Sequence, residues 1–470
     1  MVHGVGATMA LPGVILLIIF IYGRPQEFNE RLAALPFLYL FLGMTFAGMG
    51  SDIGTGKAKL KAAPHFKASV FILFWSLFTL AIFNPAELSV NAVIIGVTWV
   101  LFFVVGHSTE SLKGFQKLAG TVLAMGVFVA TVAVHQGFSA FQCIAMVPIP
   151  GARADTGIPD GRSCESYKDC RNDPTADPEI EYLCERIGLF QTTTITAGRV
   201  RWRGVLQDPN ELALTAGISL PFAFAFFEQK RSFKRLMILV YALLMIGTCI
   251  VLTQSRGGQL VFTTVLGVYF IKRYGLKGAI IGGICALPLI MLGGRGSQEA
   301  EESANERSEI LAEGLMIWRA FPLTGAGFRQ FTEHFWLTAH NAYLLAVSEL
   351  GPFGFFAWLS MIYVTFKISL TALKRYEHVP GPTAAAIRAW STALMASFAG
   401  MLIGIFFLSF TYHYVLWIYF GLSSALYFAI RGADPTFKVE LVQKDIFRII
   451  GIEIAIVVAI FGYVKSKGLM

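Results

Sequence analysis

The chain has 470 residues, 55% of them hydrophobic and only 14% charged, with a mean hydropathy of +0.62. Soluble domains carry nearer a quarter charged residues, so this composition excludes an ordinary soluble protein and indicates an integral membrane one. The net charge of +8 is explained by how the basic residues are distributed between loops, and no nucleic-acid partner is expected.

Apolar runs long enough to cross a hydrocarbon core as helices recur along the chain. We expect spans at 8–22, 34–50, 68–84, 89–106, 118–136, 211–227, 236–253, 258–271, 279–292, 341–370, 390–409 and 415–430, with 449–464 as a possible thirteenth. Regular alternation in strand-length blocks is absent, which argues against an outer-membrane barrel. The first stretch, Met9–Tyr22, lacks a basic leader and a small-residue cleavage site and reads as a retained span. The expected fold is therefore all-α, a polytopic helix bundle with two long loops on one side. It divides into 1–136 (N-terminal helices), 137–210 (a cysteine-containing loop), 211–292 (helices), 293–340 (a loop with an amphipathic helix), 341–430 (helices) and 431–470 (a tail).

Charge sets the expected orientation. One set of loops holds Lys57, Lys59, Lys61, Lys67, Lys113, Lys117, Lys230, Arg231, Lys234, Arg235, Lys272, Arg273, Lys277, Lys374, Arg375 and Arg388; the other short loops hold only Arg24, Arg31 and Arg256. By the positive-inside rule the N-terminus is cytoplasmic and 137–210 and 293–340 lie outside. Four of the six cysteines, Cys143, Cys164, Cys170 and Cys184, fall in the first outside loop. There an oxidising compartment permits two disulfides in any of three pairings. Cys249 and Cys285 sit in spans as packing residues. The loop reads as a stapled lid rather than a folded domain.

In the second loop a flexible stretch precedes a helix in which Ile310, Leu311, Leu315, Ile317, Trp318 and Phe321 recur at helical spacing, with Arg307, Glu309, Glu313 and Arg319 covering much of the remaining surface. Pro322 ends it, and Gly325–Gly327 turn the chain toward His340. Further on, Gly351-Pro352 can break the tenth span.

Three segments place ionisable groups at span mouths on this same side, where they are costly without a role. In RWRGVLQDPNELA (201–213), Arg201 and Arg203 precede a helix start marked by Asp208-Pro209-Asn210-Glu211. Helix N-terminal N–H groups and guanidinium forks both suit an anion; the bland alternative is headgroup anchoring. In TQSRGG (253–258), Arg256 sits in a tight outside turn where a lone arginine is unexpected, and Gly257 and Gly258 allow close backbone approach. In TAHNAYL, His340 enters the tenth span ahead of Asn341, Tyr343 and Glu349, and a histidine can take a proton from a hydroxyl. Asn210 and Arg329 are expected to support the site. Walker, dinucleotide-binding and zinc-ligand patterns are absent, and no metal or cofactor is expected. The span interiors carry almost no charge, so a polysaccharide or lipid transporter, which needs polar groups at the midplane, is the weaker reading.

At these residues the chain resembles the superfamily of O-antigen ligases, Wzy-type polymerases and protein O-oligosaccharyltransferases. The resemblance runs over roughly 200–365. Arg201, Gly204 and Asp208–Ala213, then Ser255–Gly258, the FPLTGAGFRQF run at 321–331, AHNAYL at 339–344 and ELGPFG at 349–354 carry it. YGRPQE at 22–27 is also similar to the first outside loop of members linked to exopolysaccharide export. The long cysteine-bearing loop departs from the pattern.

The resemblance implies a metal-independent, GT-C-like membrane glycosyltransferase of the bacterial inner membrane, its site facing the periplasm. The donor would be an undecaprenyl diphosphate-linked glycan, and the acceptor a hydroxyl of a glycan, of lipid A core or of a protein. His340 would activate that hydroxyl, while Arg256 and either Arg201 or Arg203 would hold the diphosphate. Ligase and polymerase share this chemistry and are not separated by sequence.

Overall fold

In the computed structural model the described residues are 8–27, 30–56, 61–146, 157–195, 198–203, 206–280, 282–284 and 297–470. Lys57, Lys59, Gly204, Cys285 and most of the expected span at 279–292 lie outside them.

The chain is a membrane helix bundle. Its long helices are α1 (Ala10–Gly23), α2 (Phe37–Gly54), α3 (Phe66–Phe83), α4 (Leu88–His107) and α5 (Leu112–Phe138). A small sheet follows, β1 (Phe141–Ala145), β2 (Ile158–Ser163) and β3 (Tyr182–Arg186), with the short α6 (Tyr167–Arg171) between its second and third strands. The helices resume as α7 (Pro209–Gln229), α8 (Phe233–Leu252), α9 (Arg256–Tyr274), α10 (Ser297–Ala320), α11 (Ala342–Arg375), α12 (Pro382–Gly404), α13 (Tyr414–Ala433) and α14 (Gln443–Ser466). Among the described residues ten helices are long and apolar enough to cross a membrane, α14 included. The expected spans at 8–22 and 258–271 are helices outside that set, α1 having 14 residues and α9 a less apolar composition.

The core of the bundle is α7, α11, α12 and α13, which are buried along most of their length. Small residues let these helices approach closely, as expected where lipid removes most of the hydrophobic drive between helices. A Cβ on Gly258 of α9 would lie 2.4 Å from the Ala213 Cβ of α7, and one on Gly126 of α5 would lie 2.2 Å from the Ser219 Oγ.

The cysteine-bearing segment is more structured than a stapled lid. Its strands form an antiparallel sheet in the order β2-β1-β3, with Cys143 opposite Cys184. Disulfides Cys143–Cys170 and Cys164–Cys184 select one of the three pairings, and Cys143, Ala145, Cys170 and Tyr182 make a small core of their own. Sequence patterning missed the sheet because β2, IPDGRS, contains Pro, Gly and charges instead of alternating apolar residues.

α11 kinks where expected. Gly351 has φ 61° and ψ −172°, and a Cβ there would meet the Leu323 carbonyl oxygen at 2.4 Å. The Gly325–Gly327 turn runs along this kink, with Ala326 N–H donating to Ser348 O (2.8 Å) and Gly327 N–H to Glu349 O (3.0 Å). The GAG and ELGPFG motifs are thus two halves of one joint.

Candidate active site

Three helices begin at the same end of the bundle, and each start has a chemical reason. Asp208 accepts the Asn210 N–H at 2.6 Å, and Pro209 fills the first position of α7, where no N–H is needed. Ser255 caps α9 by accepting the Gly258 N–H at 2.9 Å, and its hydroxyl donates to Asn210 Oδ1 at 2.6 Å, tying the two helix starts together. Gln254, at φ 51°, reverses the chain from α8 into α9. Asn341 caps α11, its Oδ1 accepting from Tyr343 N (3.0 Å) and Leu344 N (2.9 Å).

His340 precedes that cap with φ 45°, a left-handed conformation that costs an L-residue roughly 1–2 kcal/mol. The loop holds it there: His340 N–H donates to Ser409 Oγ at 2.8 Å, and the Thr338 hydroxyl donates to the same oxygen at 2.9 Å. Backbone strain held in place by its surroundings concentrates at functional sites.

The helix starts open on a cavity of about 890 Å³. Its head is polar, lined by Asn210, Gln254, Arg256, Arg307, His340 and Asn341; Tyr343 borders the head and donates its hydroxyl to Leu402 O at 2.9 Å. Below runs an apolar arm between α11, α12 and α14. Arg307 comes from α10, with its guanidinium carbon 5.5 Å from the centre of the Phe407 ring. A Cβ on Gly257 would sit 3.2 Å from that same ring, so Phe407 lies between Arg307 and the first turn of α9.

Two guanidinium groups and three helix N-termini at this head are features that favour an anion. Arg256 occupies the first turn of α9, where the helix dipole disfavours a cation by about 0.3–1 kcal/mol and an anion nearby offsets that cost. His340 is half-buried. Burial lowers its pKa below the ordinary imidazole value, the charge of Arg307 lowers it further, and Asp208 and Glu306 act in the opposite sense. The shift favours the neutral ring, the form that can accept a proton.

The other residues singled out from sequence lie elsewhere. Arg201 donates from Nε to Thr193 O (3.0 Å) and from Nη2 to Thr193 Oγ1 (3.2 Å). Arg203 donates to Phe190 O (3.1 Å), Gln191 O (2.7 Å) and Glu27 O. Between them the buried Trp202 donates to Tyr22 O at 2.7 Å. Neither arginine lines the cavity; the RWR segment fastens the outer loop to the end of α1. Glu349 and Arg329 are also away from it. The buried Glu349 carboxylate accepts the Arg329 and Phe331 N–H groups, each at 3.0 Å, and Arg329 Nη1 reaches Asn91 Oδ1 at 3.2 Å. They shape the turn that leads to His340. Gly258 serves the packing of α9 on α7, whereas Gly257 lines the cavity.

Arg307 was read from sequence as helix surface. Its spacing held the signal: it stands three and four residues before Ile310 and Leu311, both buried, so it belongs to the inward face of α10. Among the described residues, the cysteine, histidine and carboxylate atoms close enough together for a metal are those of Cys143, Cys164 and Cys170, whose sulfurs are in disulfides.

Fold and site define a polytopic membrane protein with a cationic-headed, apolar-tailed cavity at one end of its bundle. Residues 240–359 match the family described as O-antigen ligase, and this similarity supports the O-antigen ligase superfamily for that stretch of the chain. That stretch includes Arg256, Arg307 and His340. It begins after Arg201, Arg203 and Asn210 and ends before α14. No curated protein matches the chain.

Proposed function

We propose that this protein transfers a glycan from an undecaprenyl diphosphate-linked donor to an acceptor hydroxyl at the periplasmic face of the inner membrane. The observation that carries the reading is one cavity lined by His340, Arg256 and Arg307 at its head and by apolar side chains below. The diphosphate sits between the two arginines at the helix starts, with the lipid in the arm. His340 takes the proton of the acceptor hydroxyl as its oxygen attacks the anomeric carbon. The bond from that carbon to the diphosphate oxygen breaks with inversion. Arg256 and Arg307 stabilise the charge that builds on the leaving diphosphate, a preorganised role that needs no metal, and the proton leaves His340 to solvent. Arg201 and Arg203 act by holding the outer loop.

Orientation rests on the charge asymmetry of the loops, and the superfamily match supports the reaction class. The test is turnover of a purified lipid-linked glycan by the purified chain with candidate acceptors. One-step transfer to lipid A core or protein supports a ligase, and a ladder of lengthening lipid-linked chains supports a polymerase. Donor left intact with every acceptor class contradicts the proposal.

A further inference from the structure

The apolar arm of the cavity has a wall that lies wholly beyond the matched residues. This wall is α14, a helix apolar enough to cross a membrane and with most of its surface turned away from the protein. It is fastened at two places. Near its start the buried Asp445 accepts the Tyr363 hydroxyl at 2.6 Å and pairs with Lys367, while Arg448 Nη1 donates to Tyr363 at 3.2 Å. Near its end the Tyr463 hydroxyl and the Ser308 Oγ share a hydrogen bond at 3.1 Å, one residue from Arg307. Between these points Ile449, Ile452, Ile456 and Ile460 recur at three- and four-residue spacing and line the arm. Ile449 to Tyr463 covers ~21 Å of helix. Tyr363, tied to Asp445, ends the arm with polar groups.

A helix fixed at both ends beside an apolar space, continuous with a cationic head, fits a ligand with an anionic head and one long chain. The arm itself is one continuous apolar space, suited to one chain. We propose that α14 is the chain-recognition wall of the site, with Ile452 and Ile456 gripping a long single-chain isoprenoid diphosphate beyond its first prenyl units, toward the Tyr363 end of the arm. The inference rests on the lipid-diphosphate donor reading above and adds the element that reads the chain. Beyond Tyr363 the remaining chain leaves for the bilayer, so affinity rises with chain length up to the arm's end and then levels.

The test is binding to the full chain in nanodiscs, with long-chain polyprenyl diphosphate and geranyl diphosphate as ligands and phosphatidylglycerol as competitor. The wild type is expected to prefer the long chain by roughly tenfold or more. Ile452→Trp, at a half-exposed position that tolerates bulk, is expected to remove most of that preference while leaving geranyl diphosphate binding unchanged. Ile456→Ala is expected to act in the same direction by removing chain contact. Ile454→Trp, on an exposed position off the arm, is expected to have no effect. Equal wild-type affinity for both diphosphates, equal weakening of both by Ile452→Trp, or displacement by phosphatidylglycerol would each overturn the proposal. Transfer is assayed separately: a chain that discriminates by chain length yet moves no glycan contradicts the transferase reading and leaves this one standing.

Discussion

Two arginine-bearing regions at the same end of this bundle behave in opposite ways. In the 199–203 segment the chain folds back so that backbone carbonyls meet the guanidinium groups. Phe190 and Gln191 adopt left-handed conformations (φ 59° and 57°), and both of their carbonyls accept from Arg203. At the cavity head, Arg256 and Arg307 come from two helices whose geometry brings them to a common void. A guanidinium surrounded by carbonyls completes the fold, while one that lines a cavity can meet a ligand there. Arginine in the sequence is the same in both cases; the direction of the backbone decides its use.

Substitutions at the two regions should separate accordingly. The largest effect is expected for His340→Ala, a loss of roughly 10²–10⁴-fold in turnover of a lipid-linked glycan. Membrane insertion should be intact, because the bond to Ser409 uses the His340 backbone. Arg256→Lys and Arg307→Lys are each expected to lower kcat by roughly 10²-fold, since an ammonium cannot replace a bidentate fork at the leaving group.

Arg203→Ala should do the reverse. Thermal unfolding in detergent is expected to show a loss of about 0.5–1.5 kcal/mol from the lost hydrogen bonds, with turnover per folded molecule unchanged. A kinetic defect in Arg203→Ala equal to that of Arg256→Lys would erase the distinction between the regions. The smallest effect concerns pH. Because burial and Arg307 both lower the His340 pKa, the acid limb of the rate profile should fall below the ordinary value of about 6.5. Arg307→Gln removes a charge that disfavours the imidazolium. The pKa then rises, and residual activity is lost at a higher pH than in the wild type.

Much of this architecture is legible in the amino-acid order, because hydrophobic runs, caps and glycine joints are local. Asp208 announces a helix start by residue type alone, and the Gly351 kink follows from Gly-Pro. The aim of a side chain is not local. Arg201 and Arg256 look alike until the Thr193 carbonyl meets the one and the cavity opens beside the other. Arg307 was hidden for another reason: a charged residue on an amphipathic helix is read as solvent-facing, and only its register with Ile310 and Leu311 says otherwise. The role of α14 depends on Tyr363 and Ser308, distant in sequence.

The most direct measurement compares binding of polyprenyl diphosphate to four purified chains: wild type, Arg256→Gln, Arg307→Gln and Arg203→Gln. Affinity is expected to fall by about tenfold or more in each cavity variant and to stay at the wild-type level in Arg203→Gln. Wild-type affinity in both cavity variants, with the loss appearing only at Arg203, would contradict the account.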